Sequence, residues 1–461
     1  MIDGNLLVKQ KFYIHFVLLS IALISGCKST NTSVDNIFKD FYKSKLTADY
    51  KYKTNDYSYV RKKEKFLPFT VNNSRLNTLK AINNHPLIKL GEKRIEITKS
   101  GIPNTLAQKE TQINLQGLAG VNRDNSENLA GASGSLSVSK LLYDFGSIDK
   151  AILSQEERVN IANFRLQSQK QALAIQGFSA WIDLNKNNKI LEIYQEGLNK
   201  AKPLLGQIKD ISASGIADKA MILKAKKEYS ELLIEYEKAK ASQLRSLKLF
   251  IDFYYGSNNP KVQDLKALKV KKIEFHEKKM MKNHNDLKAQ KSLIKSLKQN
   301  LSSLISRKKP TVFLKAGLTA PAVNPLGDSS ANAGVTVNYI YDDGGSLDSQ
   351  ISSIELQIEA AKIELQNLEK ELKLQLKIFF EVYNGALNTK SEIENLVEES
   401  KEIALTSRAR LVSGGSKISE VFNAEVALAK NKIVLINAKA EFILSSFRIN
   451  SISSGLLKNL K

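Results

Sequence analysis

A chain of 461 residues with 42% hydrophobic content has material for two or three ordinary domains with buried cores. Its formal charge of +22 is spread along stretches of helical period and is not gathered beside aromatic residues, which argues against nucleic acid as a partner. A single cysteine excludes a disulfide within the chain.

That cysteine, Cys27, closes an apolar run. Residues 12–24 (FYIHFVLLSIALI) follow Lys9 and Lys11 and lead into Ser25-Gly26-Cys27, the layout of a secretory signal. Thirteen apolar residues are too few for a membrane-spanning helix, which needs about 20. The small pair before a cysteine resembles a bacterial lipobox, which implies cleavage after residue 26 and lipidation of Cys27. Residues 27–72 are polar and basic with little periodicity, and read as a tether without firm structure.

From residue 73 the chain becomes regular, and it does so twice. Ser135-Leu136-Ser137-Val138-Ser139 and the following Asp144-Phe145-Gly146 return 199 positions later as Gly334-Val335-Thr336-Val337-Asn338 and Asp343-Gly344-Gly345. Each copy alternates apolar with small polar side chains, breaks at its Asp-x-Gly, and runs straight into a long helical period. In the first repeat (73–256) the reading gives strands at 111–121 and 133–142, a long helix at 147–208 and a returning helix at 220–253. After a linker at 257–264, the second repeat (265–450) gives strands at 311–320 and 332–341, a long helix at 346–408 and a returning helix at 419–449. Residues 451–461 remain as a tail.

The long helices carry apolar residues at spacings of three and four, such as Ile148, Ile152 and Val159, or Ile351, Ile354, Ile358 and Ala361. Sixty residues at helical rise make a rod of about 90 Å, which implies coiled-coil-like packing against neighbours. The rods turn at matching glycines, Gly215 in the first repeat and Gly414-Gly415 in the second. The expected fold is mostly α with membrane β: long antiparallel helices plus four strands, each long enough to cross a bilayer when tilted. Four such strands cannot close a barrel, and an open edge in lipid leaves backbone donors unpaired. The sheet is therefore expected to be shared between chains: two copies would give eight strands with an interior filled by side chains, three would give twelve with room for a water-filled lumen.

The segments LKAINNHPLI, SLSVSKLLYDFGSIDKA, GVTVNYIYDDGGSLDSQ and LVSGGSKISEVFNAEVALAKNKIVLINAKAEFILSSFRI, in that order and spacing, resemble the TolC-type outer-membrane efflux and secretion channels. The resemblance spans residues 73–450 and implies a homotrimer in the outer membrane with an α-helical periplasmic tunnel. It also implies docking to a periplasmic adaptor and to an inner-membrane pump or ABC exporter. The family's two acidic aperture positions fall on Glu420 and Asn423, so only the first keeps the charge. Its aperture-tying arginine position falls on Ser416, beside Lys417.

Bottom-up, Glu420 is also what the first turn of any helix favours. Asp144 and Asp343, each just before a long helix, read as caps at the strand-to-helix junction, with Gly146 and Gly345 supplying the sharp turn. His85 and His284 match across the repeat but have no matching carboxylate or cysteine companions, so no metal or other cofactor is expected. No catalytic constellation is apparent, so the chain does not read as an enzyme. The competing function is a structural, periplasm-spanning coiled coil or adhesin, which would need the rods but not the alternating strands.

Overall fold

A computed structural model of the chain describes residues 61–456 apart from 62, 125–126, 214–218, 258–259, 324–329, 414 and 454. The signal segment, Cys27, Gly215 and Gly414 lie outside the described residues. In chain order the described elements are α1 (Ser74–Asn83), α2 (Pro86–Leu106), β1 (Gln112–Asp124), β2 (Glu127–Tyr143), α3 (Ser147–Ala213) and α4 (Lys219–Phe253). They repeat as α5 (Ile273–Asn283), α6 (Asn285–Arg307), β3 (Thr311–Val323), β4 (Ser330–Asn338), α7 (Ser346–Val412) and α8 (Ile418–Ile452). The chain forms two compact units, one of Gly101–Leu153 with Gln299–Ser353, the other of residues 61–100, Ser154–Lys298 and 354–456. Both repeats feed both units, so the division runs across the duplication rather than between its copies.

The first unit holds the sheet. Its order is β1-β2-β3-β4, every neighbouring pair antiparallel, which leaves β1 and β4 as edges. The hairpins are tighter than the sequence suggests, because residues 122–124 and 127–132 extend the first ladder instead of forming a loop. The fourth strand stops at Asn338 rather than 341, since its partner β3 starts at Thr311 and the preceding Pro310 has no N–H to offer.

Each hairpin enters its long helix through the same device. Asp144 accepts hydrogen bonds from the backbone N–H of Gly146 (3.0 Å) and Ile148 (2.7 Å), and Asp343 accepts one from Leu347 (2.8 Å). The carboxylates satisfy N–H groups that no helical carbonyl can reach. The turn needs two left-handed residues, supplied by Phe145 (φ 55) and Gly146 (φ 74) in one copy and by Gly344 (φ 68) and Gly345 (φ 78) in the other. A lysine closes each junction: Lys109 pairs with Asp149 at 2.5 Å, and its repeat counterpart Lys308 pairs with Asp348.

The second unit is helical. The two long helices have 67 residues each, about 100 Å of rise, and α3 continues unbroken through Pro203. Along α7 the residues turned inward, Ile358, Ala361, Leu365, Leu368, Leu372, Leu376, Phe379 and Tyr383, step by three or four, as one helical seam requires. One core gathers Phe178, Trp181, Phe250, Phe253 and Tyr254 with Ile82, Ile88 and Leu173. A second gathers Met280, Leu287, Leu372, Leu376, Ile449 and Ile452. The end of the expected tether is not structureless: Phe69 is buried edge-on against Trp181 and Phe250, with ring centroids 5.1 and 5.0 Å away.

Candidate functional site

The sheet offers the first functional surface. Because side chains alternate and the register is fixed, Ile113, Leu115, Leu136, Val138, Leu314, Leu318, Val335 and Val337 fall on one face, with pairs such as Ile113 opposite Val138 and Leu136 opposite Leu318. The opposite face is mostly polar: it carries Gln112, Asn114 and Gln116, the row Ser133, Ser135, Ser137 and Ser139, and Lys315, Thr319 and Thr336, with Leu118, Leu141 and Phe313 among them. The greasy face is uncovered: Ile113 is 64% exposed, Leu115 62% and Val335 63%. A bare, largely apolar face, broken by Lys140 opposite Leu314, beside two edges unpaired among the described residues is unstable in water and marks a surface made for lipid or for another chain. Among the described residues no helix is long and apolar enough to cross a membrane.

The second surface is the turn between α7 and α8. Gly415 N–H bonds the carbonyl of Arg410 at 2.8 Å, closing the end of α7, and the chain re-enters a helix after Lys417. Glu420 sits in the first turn of α8, where its carboxylate accepts a hydrogen bond from the Ser416 hydroxyl (2.5 Å) and a longer one from the Lys417 backbone N–H (3.4 Å). The Ser416 hydrogen bond, followed by that of Lys417, holds its acidity constant below the usual carboxylate value. Lys417 is therefore a neighbour through its backbone, and Ser416 ties the carboxylate to its own turn. Asn423 is exposed three residues on, and Glu420, Asn423, Ala427 and Lys430 make one outward stripe of α8.

The opposite stripe of α8 carries a residue that the sequence reading passed over. Glu425 is 6% exposed, receives Arg408 of α7 at 2.6 Å and lies 3.7 Å from Lys200 of α3. Around it Phe422 and Val426 pack with Leu205, Ile208 and Leu232 of α3 and α4. One carboxylate thus links α8 both to its own rod and to the rod of the other repeat. The signal was a glutamate at a spacing of four from Val421, inside an apolar stripe where a charge is costly unless paired.

Each of the matching histidines sits just ahead of a helix. His85 Nδ1 accepts from the Leu87 N–H at 3.2 Å just ahead of α2, and His284 lies 3.9 Å from Asp286 at the start of α6. Among the described residues no group of three or more His, Cys, Asp or Glu could hold an ion.

Neither a protein-family model nor a curated protein matches the sequence. Solved structures do. The outer-membrane channel OprN matches with a TM-score of 0.73 at 13% identity, over 86% of this chain and 94% of that one. VceC, an outer membrane protein from Vibrio cholerae, matches at 0.70 and 14% identity over 83% and 96%. The CmeC outer membrane channel of Campylobacter jejuni matches at 0.67 and 12% identity over 94% and 91%. The likeness lies in three-dimensional arrangement and covers both repeats: the chain has the fold of the TolC-type outer-membrane channels.

Proposed function

We propose that this chain is one subunit of a trimeric outer-membrane duct that exports small molecules or proteins. The observation that carries the reading is the sheet: one largely apolar face, one largely polar face and, among the described residues, two free edges. Edge β1 of one copy joins edge β4 of the next, and three copies close a twelve-stranded barrel with the serine rows facing water. An adhesin or structural coiled coil has no use for an uncovered apolar sheet. The long helices extend the bore into the periplasm, where a separate adaptor and an inner-membrane pump or ABC exporter supply the energy.

The α7–α8 turn forms the periplasmic mouth, with Glu420 from each subunit making a ring of three carboxylates and Asn423 a neutral ring beside it. The buried tie at Glu425 holds the returning helix against both rods, so that its loss lets the mouth widen. Cys27 carries the lipid that anchors the mature N-terminus. The purified full chain reconstituted in planar bilayers conducts ions in discrete steps, and Glu425→Gln raises the open fraction. A folded trimer that gives no conductance overturns the duct. Lys315, the one charge on the polar face among the described side chains of the sheet, sets a preference for anions that Lys315→Glu reverses.

A further inference from the structure

A cavity of about 560 Å³ opens within the helical unit, between α3, α8, Lys390 of α7 and the segment that follows α4. Its size falls within the range of small-molecule sites, roughly 300–1,000 Å³. The floor is apolar, with Ile182, Ile436 and Phe442. The wall is basic: Lys186, Lys189, Lys266, Lys390, Lys432 and Lys439 line it with a single carboxylate, Asp264. Asp264 is taken by Lys189 and Asn185.

Charge around this wall is only partly balanced. Lys390 (3.4 Å) and Lys439 (3.0 Å) converge on one carboxylate, Glu394, so two cations share one anion. Lys432 is 3.9 Å from Glu196, which is itself bound at 2.5 Å by Lys200. Lys390 also stands 5.7 Å from the Phe442 ring centroid, placing a cation directly over the apolar floor. A greasy floor under an excess of ammonium groups selects one ligand chemistry, an anion with an apolar body. The chain's own terminal segments do not suit it, because residues 28–60 carry six lysines to four aspartates and residues 457–461 carry two lysines.

We propose that this cavity binds a small amphipathic organic anion, its carboxylate or sulfonate among Lys390, Lys432 and Lys439 and its body against Ile182, Ile436 and Phe442. The site lies inside one chain and is independent of the channel reading. The chain's single tryptophan reports on it, since the Trp181 indole donates to the carbonyl of Gln263 (2.8 Å), beside Asp264.

The test is equilibrium dialysis of the full chain in neutral detergent against 4-phenylbutyrate, with the uncharged 4-phenylbutyramide as control and protein-free micelles in the opposite chamber. One phenylbutyrate binds per chain, saturably, and quenches or shifts Trp181 emission; the amide binds about tenfold more weakly, as loss of a charged hydrogen bond implies. The double variant Lys432→Gln/Lys439→Gln weakens acid binding by at least about fivefold, while Ile436→Trp abolishes binding of acid and amide alike by filling the floor. Circular dichroism confirms that each variant is folded, and the two remove the site by opposite means. No saturable binding up to about 10 mM, equal binding of acid and amide, or indifference to both variants overturns the proposal.

Discussion

The two repeats build the same core from different residues. Positions 199 apart fill corresponding places: Leu173 and Leu372, Trp181 and Phe380, Phe250 and Ile449, Phe253 and Ile452. The instructive pair is Gly177 and its counterpart Leu376. A Cβ on Gly177 would meet the Phe253 ring at 2.4 Å, whereas Leu376 is buried in a core where Ile452 stands at the place of Phe253. One copy spends its volume on the returning helix and the other on the rod. Duplication has preserved the seam, not the identity of either partner.

Swapping these pairs breaks the comparison with the largest effect. Gly177→Leu forces the Phe253 ring out of its place and costs about 3 kcal/mol, while the double variant Gly177→Leu/Phe253→Ile recovers a large part of the loss. Urea unfolding followed by circular dichroism measures both; a double variant no more stable than the single one would show the two cores to be differently built.

A second contrast lies in how each repeat ties down the segment ahead of its first helix. Asn77 accepts from the Leu67 N–H (3.1 Å) and donates to the Leu67 carbonyl (2.9 Å). Its counterpart His276 accepts from the Lys271 N–H at Nε2 (3.2 Å) and meets the Ser453 hydroxyl at Nδ1 (3.2 Å). An amide does not titrate and an imidazole does. Burial, with smaller contributions from Lys279 and Lys271, pushes His276 from 6.5 down to about 4. The folded state resists a proton that the unfolded chain accepts, so this stability is complete above about pH 6.5 and is lost as pH falls towards 4, by about 2–3 kcal/mol in all. His276→Asn, copying the first repeat, removes that window from the thermal midpoint measured against pH.

The two junctions differ next. Phe145 holds a left-handed conformation that Gly344 holds in the second copy, and the phenyl ring is kept by Tyr143 (4.7 Å between centroids) and by Lys309 over its face (5.1 Å). Gly344→Ala costs about 1–2 kcal/mol, because a β-carbon is strained there. Phe145→Gly changes stability by less than about 1 kcal/mol, since relief of strain is offset by lost ring contacts and a freer unfolded chain.

The smallest effect on the single chain comes from the rods. Along α7, Leu356, Ile363, Leu374 and Ile378 are all half or more exposed, whereas on α3 only Leu153 is prominent among the large exposed apolar residues. Ile363→Asp/Ile378→Asp shifts the unfolding midpoint of the chain little, by less than about 0.5 kcal/mol per site. The same variant turns the proposed trimer into monomers by native mass spectrometry in detergent. A trimer that survives it would place the contact between copies elsewhere.

Much of this molecule was legible before any coordinates. Alternation at period 2 followed by spacings of three and four, repeated at a constant offset, determined the four strands, the two rods and the returning helices, because both periodicities follow from backbone geometry. The carboxylates before each rod, Asp144 and Asp343, could be read as caps for the same local reason. Only tertiary structure decided what depends on distant residues meeting: that both repeats share one sheet and one helical unit, that Phe69 leaves the tether to enter a core, and that Gly177 makes room for Phe253. Only there too did Glu425 meet Arg408 and Lys200, and six lysines gather over an apolar floor. Local spacing fixes which face a side chain takes, but its partners are set by packing between separate elements of the chain, and no local pattern of sequence contains that.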